Sequence, residues 1–90
     1  MKKRIHAYFS GTVQGVGFRY AAERLADELK ILGCVRNPPD GRVEIIAEAK
    51  EPVLKNFLRE LRESFSDYVT EVDTEYLEAT DDFKDFTIRF

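Results

Sequence analysis

Three of the five glycines in this 90-residue chain, Gly11, Gly15 and Gly17, fall within seven positions, and the stretch they punctuate joins two segments of different period. Before it, Ile5, Ala7 and Phe9 alternate with Arg4, His6 and Tyr8, the period-two pattern of a strand with one covered face. After it, Phe18, Ala22, Leu25, Ala26 and Leu29 recur at helical spacing, with Glu23, Arg24, Asp27, Glu28 and Lys30 opposite. The chain must therefore pass from strand to helix through a glycine-rich turn. Such a turn exposes consecutive backbone N–H groups, and the helix dipole adds partial positive charge to them. Glycine lets a ligand approach the backbone closely. Gly15, Val16, Gly17, Phe18 and Arg19 are thus a candidate anion cradle, with the Arg19 guanidinium as a fixed bidentate charge. The plainer alternative is a tight turn followed by a solvated arginine.

The remaining segments say what the turn is built into. Gly33 stands where a helix-ending glycine belongs. Cys34 to Asn37 reads as a short strand with Val35 and Asn37 on one face and Cys34 and Arg36 on the other; Pro38 stops it, having no N–H to donate. Asp40-Gly41 signals a turn, and Arg42 to Glu48 alternates Val43, Ile45 and Ala47 inward, so these two strands form a hairpin. Pro52 suits a first helical turn with Glu51 beside it, and Leu54, Phe57, Leu58, Leu61 and Phe65 give a second amphipathic helix that Ser64 to Asp67 breaks. Val69 to Leu77 is a long strand with Val72, Thr74 and Tyr76 on one face. After an Asp81-Asp82 turn, Phe86, Ile88 and Phe90 alternate as an edge or return strand. The order is β-α-β-β-α-β with an extra C-terminal strand, which is the α+β, ferredoxin-like α/β sandwich: an antiparallel sheet with two helices on one face.

Composition narrows the partners. Ninety residues with 43% hydrophobic side chains suffice for one domain, 1–90, with a single core. A net charge of −3 is the wrong sign for a protein whose main partner is nucleic acid or an anionic membrane. The strand from Arg42 to Glu48 carries two acids and no aromatic, unlike the stacking strand of an RNA-recognition sheet. No apolar run approaches the roughly 20 residues of a membrane span or follows Met1-Lys2-Lys3-Arg4 as a signal peptide would, so a cytoplasmic location is expected. Cys34 is the lone cysteine and His6 the lone histidine, and they make no zinc spacing; the thiol reads as packed in its strand. Glu71, Asp73 and Glu75 read as a solvated strand face.

The run Val13-Gln14-Gly15-Val16-Gly17-Phe18-Arg19, with Gly33-Cys34-Val35-Arg36-Asn37 and Asp40-Gly41-Arg42-Val43-Glu44 after it, resembles acylphosphatase from about Ile5 to Glu48 and more loosely to the C-terminus. The resemblance implies an enzyme that hydrolyses the carboxyl-phosphate bond of small acyl phosphates, releasing inorganic phosphate, with no metal and no cofactor. It implies Gly15 to Arg19 as the phosphate cradle, Arg19 as the substrate-binding arginine and Asn37 as the residue that positions the nucleophilic water. Three departures stand outside those positions: Cys34 where an aromatic is common, Ala49-Lys50 where a glycine is common, and Ser64 to Asp67 in place of a Gly-Pro-Pro loop.

Elementary chemistry agrees with those roles. Phosphoryl transfer needs three charged oxygens anchored, a water in line and a leaving group that departs. The cradle supplies the first. Asn37 both donates and accepts, which is enough to orient a water. A carboxylate of pKa ~4–5 leaves without a general acid. The alternative is a binding module: a non-catalytic phosphate- or carbamoyl-phosphate-binding domain of the same fold, such as begins the hydrogenase-maturation carbamoyltransferase. A chain ending at Phe90 favours the free-standing enzyme, expected as a monomer.

Overall fold

The computed structural model describes residues 1–89. The chain runs β1 (Lys2–Gly11), α1 (Phe18–Leu29), β2 (Leu32–Arg36), β3 (Val43–Lys50), α2 (Glu51–Ser64), β4 (Val69–Glu78) and β5 (Phe86–Arg89). The five strands form one sheet in the order β4-β1-β3-β2-β5. β1 pairs antiparallel with β3 (Ile5 opposite Ala47, Phe9 opposite Val43) and with β4 (His6 opposite Glu75). β2 and β3 form the expected hairpin, with Arg36 opposite Glu44. β5 differs: it lies parallel to β2, from Gly33 beside Phe86 to Arg36 beside Arg89, so the sheet is mixed rather than wholly antiparallel. The physical reason is the route. β4 ends beside Lys3, and the segment 79–85 carries the chain from that edge to the opposite one, arriving where β2 begins. The reading of Phe90 as part of β5 falls outside the described residues.

Helix α1 lies over β2 and β5, and α2 over β1 and β3. Between helices and sheet, Ile5, Ala7, Phe9, Phe18, Val35, Val43, Ile45, Leu54, Phe57 and Leu61 are buried in one apolar cluster. Each fully buried side chain of this size is worth about 1.5–3 kcal/mol. The inward rows are those the alternation gives. β4 is the exception: Val72 packs against the core, but Thr74 and Tyr76 stay exposed because neither helix covers that edge.

The first helix does not end at Gly33. It stops at Leu29, and Lys30 takes the left-handed conformation (φ 58°), its N–H bonding the carbonyls of Ala26 and Asp27. Gly33 belongs to β2 instead, for a reason of space: a Cβ there would stand 1.9 Å from the Ile46 carbonyl oxygen. The strand accordingly starts at Leu32, two residues earlier than Cys34, and ends at Arg36.

Candidate functional site

The loop between β1 and α1 is pinned at both ends. At its start the Thr12 N–H donates to the Tyr68 carbonyl at 2.9 Å. At its end the Phe18 ring is buried between Phe9 and Phe65, with centroids 4.8 Å from each. Val13 is buried and Val16 packs against the core, so the loop rests on apolar side chains. Gly15 and Gly17 lie on the surface with φ of 79° and 83°, conformations costly to any side chain. Nothing lies within 4 Å of where a Cβ would point at either glycine. Backbone and open space face each other here.

Gly17 is the N-cap of α1. It offers no side chain to cap the helix, and the first turn carries no acid. The Ala21 N–H donates to the Gly17 carbonyl at 3.1 Å. The positive end of the helix therefore meets the loop with neither a side-chain cap nor a first-turn acid. Arg19, half-buried, is the second helical residue. Of the five candidate cradle residues, Phe18 has only its backbone to offer, since its ring belongs to the core.

Asn37 lies at the same end of the sheet. It follows Arg36, which stands opposite Glu44 on β3, and the next residue of β3, Val43, stands opposite Phe9 on β1. The ends of β1 and β2 are separated by β3 alone, about 10 Å at ordinary strand spacing. Val35 packs in the core while Arg36 bonds Glu44 on the far face, so alternation places Asn37 on the helix side of the sheet. Its Oδ1 is buried and has no hydrogen-bond partner among the described residues. Leaving such an acceptor unsatisfied costs about 1–3 kcal/mol, and an orphan of this kind needs a reason. Beyond the turn that follows, the Arg42 carbonyl accepts from Gln14 Nε2, ahead of the cradle residues, at 3.4 Å.

The open face of the sheet, away from the helices, carries polar groups that alternation alone assigns to solvent. Glu44 is 6% exposed and Glu48 1% exposed. Glu44 accepts from His6 Nε2 at 2.5 Å, from the Tyr8 hydroxyl at 2.9 Å and from Arg36 Nε. Burial acts to raise its pKa, but these hydrogen bonds outweigh burial and hold the carboxyl below the usual glutamate value. Tyr8, donating to that carboxylate, is raised in turn. Glu48 accepts from Arg4 Nε at 2.7 Å and from the backbone N–H groups of Thr80 and Asp81 at 2.9 and 3.0 Å, and it too is lowered against its burial. The signal in the sequence was faint: Glu44 and Glu48 flank Ile46 at the spacing with which Arg4, His6 and Tyr8 recur on the paired strand. Cys34 is buried and its pKa raised, chiefly by burial, which leaves a thiol rather than a nucleophilic thiolate. Glu71, Asp73 and Glu75 are exposed, as a solvated face should be. Among the described residues, no helix is long and apolar enough to cross a membrane.

Comparison with known proteins points one way. A family model described as Acylphosphatase matches residues 5–88. A protein named acylphosphatase from Methanospirillum hungatei is 54% identical over 57 residues, which span 63% of this chain and 63% of that relative's length. The acylphosphatase of Paenarthrobacter aurescens is 43% identical over 86 residues, covering 94% of this chain and 92% of its own. Among solved structures, acylphosphatase from Bacillus subtilis superposes with a TM-score of 0.90 at 36% identity, covering 98% of this chain and 99% of that one. Full-length HypF in its phosphate- and nucleotide-bound form matches with a TM-score of 0.87 at 26% identity, over all of this chain but 12% of that one.

Proposed function

We propose a mechanism from one premise: this chain belongs to the acylphosphatase family, hydrolases that act on acyl phosphates. The substrate phosphoryl group sits against the backbone N–H groups of Gly15, Val16, Gly17, Phe18 and Arg19, at the positive end of α1. The Arg19 guanidinium takes two of its oxygens as a fork. Asn37 holds a water on the side of phosphorus opposite the carboxylate. Its unpartnered Oδ1 accepts a hydrogen bond from that water, and this buried orphan acceptor is the observation that carries the reading.

Attack then displaces a carboxylate, which departs as the anion because its pKa of ~4–5 needs no proton donor. In a loose transition state the water gives up its proton late, to an oxygen of the phosphate product, so a neutral amide suffices where a general base would otherwise be needed. The negative charge that spreads over the three equatorial oxygens falls on N–H groups and a guanidinium already in place. No step calls for a metal, and the assay below is run in EDTA for that reason. We also read the protein as a monomeric, cytoplasmic domain without a nucleic-acid partner. Its net charge of −3 and the four acids on its exposed β4 edge support that reading.

The test is Asn37→Ala and Asn37→Asp, assayed with benzoyl phosphate. The Ala variant keeps competitive inhibition by phosphate, because the cradle is untouched, while kcat falls by roughly 10² or more. The Asp variant loses binding as well, since it sets a negative charge beside the phosphoryl group. A folded Ala variant with the wild-type rate removes Asn37 from the mechanism. A wild-type protein that binds phosphate but turns nothing over is the binding module instead.

A further inference from the structure

Asn37 stands at the point where two supports meet. Behind it the β2–β3 ladder ends at Arg36, and ahead of it Pro38 has no N–H with which to continue. The turn beyond has its own ties: Gly41 N–H to the Pro38 carbonyl at 3.3 Å, and Arg42 to the Asp40 carboxylate, with its Nη2 at 2.6 Å. The position of the Asn37 amide thus depends on how rigidly the last rung, Arg36 against Glu44, is held.

That rung is held from three sides. Arg36 Nε donates to Glu44 Oε1, while Oε2 of the same carboxylate accepts from His6 and Tyr8 on β1. The Tyr8 ring carries the Arg42 guanidinium 3.9 Å from its centroid. Glu44 therefore bonds across the sheet from β1 to the end of β2, and through Tyr8 it meets the turn that carries Asn37 forward. The buried carboxylate is the one member that touches both neighbouring strands.

We infer that the Arg36–Glu44 pair, locked by Tyr8 and His6, is a positioning device for Asn37, acting from the opposite face of the sheet without touching substrate. This rests on the reading of Asn37 as the water-holding residue. A displacement on the order of 1 Å at a reacting water is enough to cost large factors in rate. The phosphate cradle hangs on β1 and α1, so loosening the end of β2 moves the water and not the anion.

The experiment is a double-mutant cycle with Arg36→Met and Asn37→Ala, measuring kcat and the inhibition constant of inorganic phosphate. Arg36→Met removes the ion pair but leaves Glu44 bonded to His6 and Tyr8, so the fold survives. We expect kcat to fall about tenfold with phosphate inhibition unchanged. The double variant should be no slower than Asn37→Ala alone, because a brace has no effect once its load is gone. Glu44→Gln, which keeps shape and loses charge, should show the same split. Three results overturn the inference while sparing Asn37. They are an unchanged kcat in Arg36→Met, a weakening of phosphate inhibition that matches the loss of rate, and losses that multiply in the double variant. If Asn37→Ala alone runs at the wild-type rate, the reading of Asn37 falls and the brace with it.

Discussion

Arg19 occupies a place that helix physics disfavours for a cation, the first turn, where the dipole is positive. An anion bound at the loop, as proposed above, reverses the sign of that interaction. Because the guanidinium is planar and forked, Lys is not a substitute for it. Arg19→Lys should lower kcat/KM by about 10² or more, the scale of a lost transition-state donor. Steady-state kinetics on benzoyl phosphate check this, and an unchanged value would make Arg19 a point charge. The backbone geometry around the candidate site was legible in the sequence because its constraints are local. Glycines with positive φ at 15 and 17, an arginine two residues on and a proline after Asn37 each leave a mark within a few positions. Glu44 left no such mark. Its burial depends on His6, Tyr8 and Arg36, which reach it only after three strands have paired.

At the level of elements, period decided what could be read. Among the described residues, α1, α2, β1 and β3 carry apolar rows at their own spacing, and their existence follows from those rows. Where an element ends is set by contacts instead. Lys30 closes α1 in a left-handed conformation that a generic residue seldom takes, and Gly33 was free to serve a neighbour. Its backbone lies so close to Ile46 that Gly33→Ala must push β2 off β3, in a sheet with no slack. We expect a loss of about 3 kcal/mol or more, in the range of severe core overpacking, read as a fall in the denaturation midpoint at unchanged m. A midpoint within error of wild type would mean that β2 can shift freely. The parallel pairing of β5 with β2 was not legible, because nothing in Phe86 to Arg89 says which edge the chain will reach.

Across the whole molecule the two buried glutamates tie stability to acid. Both have folded pKa values below the ordinary 4.5, so their stabilisation is complete above that value and is lost as pH falls through the folded pKa. Glu48→Gln should be less stable than wild type at about pH 7, with the gap closing toward about pH 3. Thermal melts across that range check it, and a gap independent of pH would deny the carboxylate charge any part. Glu48 also fastens Thr80 and Asp81, the segment that crosses from one sheet edge to the other. The place of β1 between β4 and β3 has a consequence in time. Its partners are β3 and β4, so His6 must find Glu75 across most of the chain before the strand is flanked on both sides. Closing a loop of that length is slow relative to helix formation, and topologies of this kind fold slowly for their size. The Thr12–Tyr68 bond that pins the glycine loop belongs to that late closure. A nascent chain still short of β4 holds every glycine of the loop and Arg19 besides, yet lacks the Tyr68 carbonyl to which the start of the loop is tied.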